Sequence, residues 1–286
     1  MGPLARDHIE TIGKNLFLLY RRFSARRRVL PNFLILGAQK CGTTSLFSEL
    51  AEHPCVLPAL TKEVHYFDRC PERPVDWYRA HFPLRTRVDE MSKDLGRLGI
   101  TGEASPFYLF DPGCAPRIHA LLPDAKLIVL LRNPVDRAYS HYQHARRRGW
   151  ETLDFESALD AEPDRLAAEA AVSTAGGCYR GSAHRRFSYA ARGRYADQIA
   201  LYLDHYPRSS LLVLESEDYA REPARVYAEA IEFLGLEPVT LSRQRKIHHF
   251  DYIEQPAHIR TRLLEYFAPH NERLFALLGR RYDWSA

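Results

Sequence analysis

Short continuous apolar runs alternate along the chain with stretches whose apolar residues recur at helical spacing. The first run, Pro31-Asn32-Phe33-Leu34-Ile35-Leu36, has strand length and is broken by Gly37; Thr43 to Glu52 follows with helical character and stops before Pro54. Val56–Phe67 reads as irregular and extended, Val75–Phe82 as a short helix, Leu98–Thr101 as a second buried strand and Cys114–Leu122 as a helix. Lys126–Leu131 is the clearest strand, and it runs into Asn133, suited to an N-cap, and Pro134, suited to the first helical position of a helix reaching about Arg148. Residues 161–190, rich in Ala, Gly, Arg and Ser, lack a pattern and are expected to form a mobile insertion or lid. Beyond them the spacing predicts a helix over Tyr195–Tyr206, a strand over Ser210–Leu214, a helix over Pro223–Leu234 and a last amphipathic helix over 257–279. Strands alternating with helices predict a single α/β domain with a mainly parallel central sheet flanked by helices. Ligands of such sheets bind at the carboxyl ends of the strands.

Composition narrows the classes. A chain of 286 residues with 12% aromatic content can bury a sizeable core and is not disordered. No apolar run is long enough to span a bilayer, and the start of the chain does not resemble a secretory signal. Five cysteines without CxxC spacing argue against zinc ribbons and disulfide scaffolds, and point to a reducing, cytoplasmic setting. Residues 1–30 carry a net charge of +5 in a chain of +4, which leaves the body at −1. The basic character therefore sits in an N-terminal arm, and a nucleic-acid-binding body is disfavoured. Ile9, Ile12, Leu16, Leu19 and Phe23 recur at helical spacing among the arm's arginines. Such a helix either lies on the inner face of an anionic membrane or packs on its own domain with its arginines exposed.

Three motifs fall where ligands are expected. Gly37-Ala38-Gln39-Lys40-Cys41-Gly42-Thr43-Thr44-Ser45 has the strand–loop–helix setting of a phosphate cradle, but its lysine precedes the second glycine by two residues instead of following it as in GxxxxGK[ST]. The strand Lys126–Leu131 ends in Arg132, with Ser140 two turns into the next helix. A guanidinium and a hydroxyl so placed can hold one phosphate, whereas a magnesium-binding strand would end in Asp. In Lys62-Glu63-Val64-His65-Tyr66-Phe67-Asp68, an extended backbone would put Glu63, His65 and Phe67 on one face. A carboxylate beside an imidazole is either a general-base pair or a partly buried salt bridge.

In order, GAQKCGTTSL, KEVHYFD, GEASPFYL, KLIVLLRNPVDRAYSHY and ARGRYADQIALYLDHYP resemble sulfotransferases that use 3′-phosphoadenosine 5′-phosphosulfate (PAPS). The similarity is strongest to the heparan sulfate 3-O- and N-sulfotransferase type and its bacterial relatives, and it runs over residues 31–286. The resemblance implies a P-loop-like, kinase-like nucleotide-binding core. It further implies that Lys40, Cys41, Gly42, Thr43, Thr44 and Ser45 form the 5′-phosphosulfate loop and that Arg132 and Ser140 hold the 3′-phosphate, with Tyr195 also on the cofactor. Glu63 would be the base, His65 would assist it, and Lys40 would neutralise the leaving phosphate. No metal is implied. The acceptor would be a hydroxyl or amine of a glycan or small molecule.

Two departures from the resemblance bear on the site. The basic Lys-Gly-Arg stretch that the animal heparan enzymes carry before the last helix is here His248-His249-Phe250, preceded by Arg245 and Lys246. Arg245, Lys246 and His248 are the candidates for its cofactor contacts. Ala104 stands where the 3-O-sulfotransferases have an acceptor-contacting lysine, so the resemblance does not carry a heparan-like acceptor to this chain. The competing readings are a P-loop kinase using ATP and an inactive nucleotide-binding module. Lys40 before the second glycine and Arg132 at a strand end disfavour the first, and the presence of both Lys40 and Glu63 disfavours the second.

Overall fold

In a computed structural model, residues 16–172, 182–239 and 255–284 are described. Phe33–Gly37 forms β1, buried at every position, and leads into the helix α1 at Thr43–Leu50. A short helix α2 (Tyr66–Arg69) precedes β2 (Gly102–Ala104), and α3 (Cys114–Leu121) precedes β3 (Lys126–Leu131). Then follow α4 (Pro134–Arg147), α5 (Phe155–Val172), α6 (Tyr195–Leu203), β4 (Leu211–Glu215), α7 (Pro223–Leu234) and α8 (Ala257–Leu278). The strands make one parallel sheet in the order β2-β1-β3-β4. A parallel sheet covered on both faces explains why β1 and β3 read as continuous apolar runs without alternation. The main core joins these strands to α1, α6 and α7, and a second apolar cluster packs α4 against α5 and α8 through Val135, Tyr142, Phe155, Ile259 and Phe267.

The end of β3 follows its sequence signals closely. Asn133 Oδ1 accepts the Val135 N–H at 3.0 Å, and Pro134 occupies the first helical position. Two expectations need correction. The second strand lies at Gly102–Ala104, downstream of Leu98–Thr101; Leu98 is exposed, and Ile100 makes only an isolated bridge to Val56. Gly102 is what lets β2 approach, because a Cβ there would meet the Phe33 ring carbons at 2.4 Å. Residues 161–172 are not an insertion without pattern but the second half of α5, which carries Pro163 in its interior. The pattern failed because a polar residue takes a core position. Buried Glu162 accepts the N–H groups of Ala190 and Ala191 at 2.7 and 2.8 Å.

Of the basic arm, residues 16–22 are helical. Arg21 turns inward and donates to the Ala80 and Phe82 carbonyls at 2.6 Å each, and Arg28 also donates to Phe82 at 2.8 Å. Leu16, Phe17, Leu19, Tyr20 and Phe23 remain exposed. Among the described residues, no helix is long and apolar enough to cross a membrane.

Candidate active site

The carboxyl ends of β1 and β3 open into a cleft of 1150 Å³ lined by Lys40, Gly42, Thr43, Thr44, Ser45, Glu63, His65, Arg132 and Ser140. Segments far apart in the chain therefore meet where the parallel sheet predicts a ligand. At the end of β1, Gly42 adopts φ +93°, a left-handed conformation that costs glycine little, and α1 starts at the next residue. The Gly42 carbonyl accepts the Ser45 and Leu46 N–H groups at 3.0 and 3.2 Å. The earlier first-turn N–H groups, at Thr43 and Thr44, have no partner within the helix by its geometry, which suits an anion. The chemistry of this loop suits a phosphosulfate, and Lys40 lines the same cleft.

Lys40, Glu63 and His65 are the non-glycine residues of positive φ among the described residues, at 74°, 63° and 56°. The expected extended alternation of Glu63, His65 and Phe67 is thus corrected: two left-handed residues flank Val64, and Phe67 is buried in α2. Glu63 and His65 nonetheless meet. His65 Nε2 lies 3.3 Å from Glu63 Oε2, and His65 Nδ1 lies 2.9 Å from Oδ2 of Asp68, which is fully buried. Lys62 Nζ donates to Glu63 Oε1 at 2.7 Å.

The strained turn is held residue by residue from β2 and the segment after it. The N–H groups of Glu63, Val64, His65 and Tyr66 donate to the Ala104 carbonyl, Glu103 Oε2, Ser105 Oγ and the Tyr108 hydroxyl at 3.0, 3.2, 3.3 and 2.9 Å. Such over-determination is what lets left-handed non-glycine residues persist. Glu103 is fully buried and also accepts the Tyr78, Ser105 and Tyr108 hydroxyls at 2.7, 2.8 and 3.1 Å.

Charge follows these contacts. Burial pushes the Glu63 carboxyl up, but the His65 and Lys62 contacts outweigh it and hold the pKa at about 2. Burial pushes His65 down, and its bonds to Asp68 and Glu63 win, so its pKa stands above 6.5. His144, on the same cleft wall, is lowered to about 4 by burial and by the nearby Lys40 and arginines. The cleft thus holds an ionised Glu63 and a neutral His144 at neutral pH, with a His65 whose hold on its proton is strengthened by Asp68 and Glu63.

Several predicted residues stand elsewhere. Cys41 is fully buried, with its Sγ toward the Gln39 carbonyl at 3.8 Å and its pKa pushed up to about 12 by burial, so its side chain does not face the cleft. Tyr195 is also buried, and its hydroxyl donates to the Arg132 carbonyl at 2.9 Å; it touches the site through the backbone of Arg132. Arg245, Lys246, His248 and His249 lie outside the described residues. Sequence reasoning missed Asp68, Glu103, His144 and Arg192. Arg192 is buried over the rings of Phe107 and Phe110 and donates to Gln39 Oε1, beside Lys40. Glu103 and Arg192 carried a usable signal, a charged residue within an otherwise apolar or aromatic motif. Among the described residues, no group of three or more His, Cys, Asp or Glu is placed to hold a metal ion, and Cys41, Cys55, Cys70 and Cys114 are free thiols.

Residues 30–255 match the family model described as the sulfotransferase domain. The chain belongs to the sulfotransferase family. A crystal structure of a sulfotransferase from Alicyclobacillus acidocaldarius superposes on this one with a TM-score of 0.70 at 33% identity, covering 90% of this chain and all of that one. Heparan sulfate glucosamine 3-O-sulfotransferase 6 of Homo sapiens is 31% identical over 90% of this chain and 75% of its own length. The membrane-associated sulfotransferase kil1 of Dictyostelium discoideum is 26% identical over 89% of this chain and 66% of its own length. The sulfotransferase thus spans about two thirds to three quarters of these curated relatives. Its four-stranded parallel sheet is the α/β core expected of the family, and PAPS is the family's co-substrate. The enzyme is a PAPS-dependent sulfotransferase, and none of these relatives favours a kinase.

Proposed function

We propose that residues 31–286 form a sulfotransferase domain that moves the sulfuryl group of PAPS to a hydroxyl or amine of a glycan or small-molecule acceptor, with Glu63 as the base. The observation that carries this reading is the convergence of Lys40, Glu63 with His65, and Arg132 with Ser140 on one cleft. PAPS supplies the activated sulfuryl group. An acceptor oxygen attacks sulfur while the bond from sulfur to the 5′-phosphate oxygen breaks, giving a sulfate ester and adenosine 3′,5′-bisphosphate. The acceptor proton passes to Glu63. The acceptor hydroxyl takes the place of Lys62 on Glu63 Oε1, and His65 holds the other carboxylate oxygen. Lys40 and the N–H groups opening α1 neutralise charge on the departing phosphate, as in phosphoryl transfer. Arg132 and Ser140 hold the 3′-phosphate, and Arg245, Lys246 and His248, outside the described residues, remain the sequence's candidates for further cofactor contacts.

The basic arm, residues 1–30, adds a peripheral contact with an anionic membrane on the cytoplasmic side. Supporting it are the exposed Phe17, Tyr20 and Phe23 beside Arg22, Arg26 and Arg27. Incubation with sulfur-labelled PAPS and a panel of glycans, lipids and phenols tests the reading. Label should enter a hydroxyl- or amine-bearing acceptor; transfer from labelled ATP instead would refute it.

A further inference from the structure

The parallel pairing of β3 with β4 matches Leu131 with Glu215. The residues that follow the two strands, Arg132 and Asn133 on one and Ser216 and Glu217 on the other, therefore emerge side by side. Glu217 lies in the short helical turn Ser216–Arg221 and lines the cleft together with Arg132 and Ser140. Its Oε1 accepts the Asn133 N–H at 2.9 Å, which fixes the carboxylate against the residue next to Arg132. Its other oxygen, Oε2, is buried and has no hydrogen-bond partner among the described residues. Burial raises the Glu217 pKa, against the Asn133 N–H and the Arg132 charge. A buried carboxylate oxygen short of a donor costs free energy that a bound ligand can return.

The donors that the cofactor can bring are few. Near neutral pH its phosphate and sulfate groups are largely ionised and act as acceptors. That leaves the ribose 2′-hydroxyl and the adenine amino group. The 2′-hydroxyl sits on the carbon adjoining the one that bears the 3′-phosphate, whereas the amino group is at the far edge of the base. With the 3′-phosphate on Arg132 and Ser140, the hydroxyl is the donor that comes to the residues bordering Arg132.

We propose that Glu217 is a specificity residue for the sulfuryl donor, its Oε2 accepting the ribose 2′-hydroxyl beside the 3′-phosphate. This deepens the proposed function and rests on its placing of the 3′-phosphate at Arg132. The contact selects a ribose over a 2′-deoxyribose. The same carboxylate repels a phosphate at the 2′ position, so the site also discriminates against the 2′,5′ isomer.

Calorimetry on the whole chain tests this with adenosine 3′,5′-bisphosphate, its 2′-deoxy analogue and adenosine 2′,5′-bisphosphate. The deoxy analogue lacks a hydrogen bond to a charged group and should bind the unmodified enzyme about tenfold or more weakly. In Glu217→Ala the two 3′,5′ ligands should bind alike. In Glu217→Gln, whose amide oxygen can keep the Asn133 N–H, their ratio should shrink and the 2′,5′ isomer should bind more tightly than it does to the unmodified enzyme. Thermal unfolding checks that each variant is folded, and Glu217→Gln carries the comparison if Glu217→Ala is not. A merely structural Glu217 would weaken both 3′,5′ ligands equally and leave their ratio unchanged, which would overturn the proposal. Equal binding of the two by the unmodified enzyme would overturn it as well, with the donor reading intact. So would a loss on replacing adenine by hypoxanthine that Glu217→Ala abolishes, since Oε2 would then serve the base. Failure of adenosine 3′,5′-bisphosphate to bind the unmodified enzyme would overturn both the proposal and the donor reading.

Discussion

The carboxylate of Glu103 accepts the backbone N–H of Val64 at 3.2 Å, so β2 directly holds the residue between Glu63 and His65. Glu103 does not itself line the cleft, yet it ties three hydroxyls and this N–H into one buried knot. Replacing it with Gln puts an amide N–H₂ among groups that all donate. The turn should loosen, and small misplacements at a reacting centre cost up to about 100-fold in rate. Turnover of Glu103→Gln should fall at least about tenfold, while the bisphosphate still stabilises the protein. Unchanged turnover would show that the turn holds without this carboxylate.

Glu63→Gln removes the proposed proton acceptor and leaves the loop at Lys40 intact. Positioned bases contribute about 10²–10⁴-fold. Steady-state assays should show a loss in that range, with bisphosphate affinity unaltered. Because the Glu63 pKa is held at about 2, the carboxylate is ionised throughout the working range. The acid limb of kcat/KM should therefore carry no step near the usual glutamate value of 4.5. A step there would mean that Lys62 and His65 do not hold Glu63 in solution.

His65 owes its raised pKa to Asp68 first and then Glu63, working against burial. By linkage, its contribution to stability is complete below the unfolded value of 6.5 and is lost as pH rises through the higher folded value. NMR titration should place the His65 imidazole above 6.5, and Asp68→Asn should lower it. The same substitution removes the charge of fully buried Asp68 from its half-buried partners His65 and Arg185, and urea unfolding should show a loss of about 3 kcal/mol. A native His65 titrating at or below 6.5 would contradict the paired geometry.

Much of this was legible because local and tertiary preferences agree. Lys126–Leu131, Asn133 and Pro134 carry strand, cap and first-turn signals that point one way, and the structure follows them. Glu63 and His65 were legible as a pair, although the extended backbone offered as the reason was not the one that joins them. Their left-handed φ values depend on Glu103 and Tyr108, some forty residues away, and no local pattern announces that. The helix α5 was hidden by Pro163 and by a buried Glu162, whose partners at Ala190 and Ala191 lie on a separate segment. Cys41 sits inside the cradle motif, but the turn directs its side chain into the core.

The arm can be tested without removing its anchors. Arg21 and Arg28 tie it to the segment around Phe82, so they should be left in place. Arg22, Arg26 and Arg27, all exposed, can be changed together to Gln. Co-sedimentation with phosphatidylserine-containing vesicles should fall markedly in that variant, and also at high salt, since each basic residue contributes about 1 kcal/mol near an anionic surface. Turnover on a soluble acceptor should be unaffected. Equal binding of the unmodified protein to neutral and anionic vesicles would contradict an electrostatic arm.

The most direct test of the central claim is a thermal shift with adenosine 3′,5′-bisphosphate in the absence of magnesium. Arg132 and Ser140 line the cleft at the carboxyl end of β3, and the proposed function assigns them to a 3′-phosphate that ATP lacks. At about 100 times its dissociation constant the bisphosphate adds roughly 2.7 kcal/mol, which raises the melting temperature of a protein this size by about 2–4 °C or somewhat less. Chelator should leave the shift unchanged. Arg132→Ala should erase most of the preference for the 3′-phosphate, a contact contributing about 1.5–3 kcal/mol. A larger shift with ATP that requires magnesium would contradict the account.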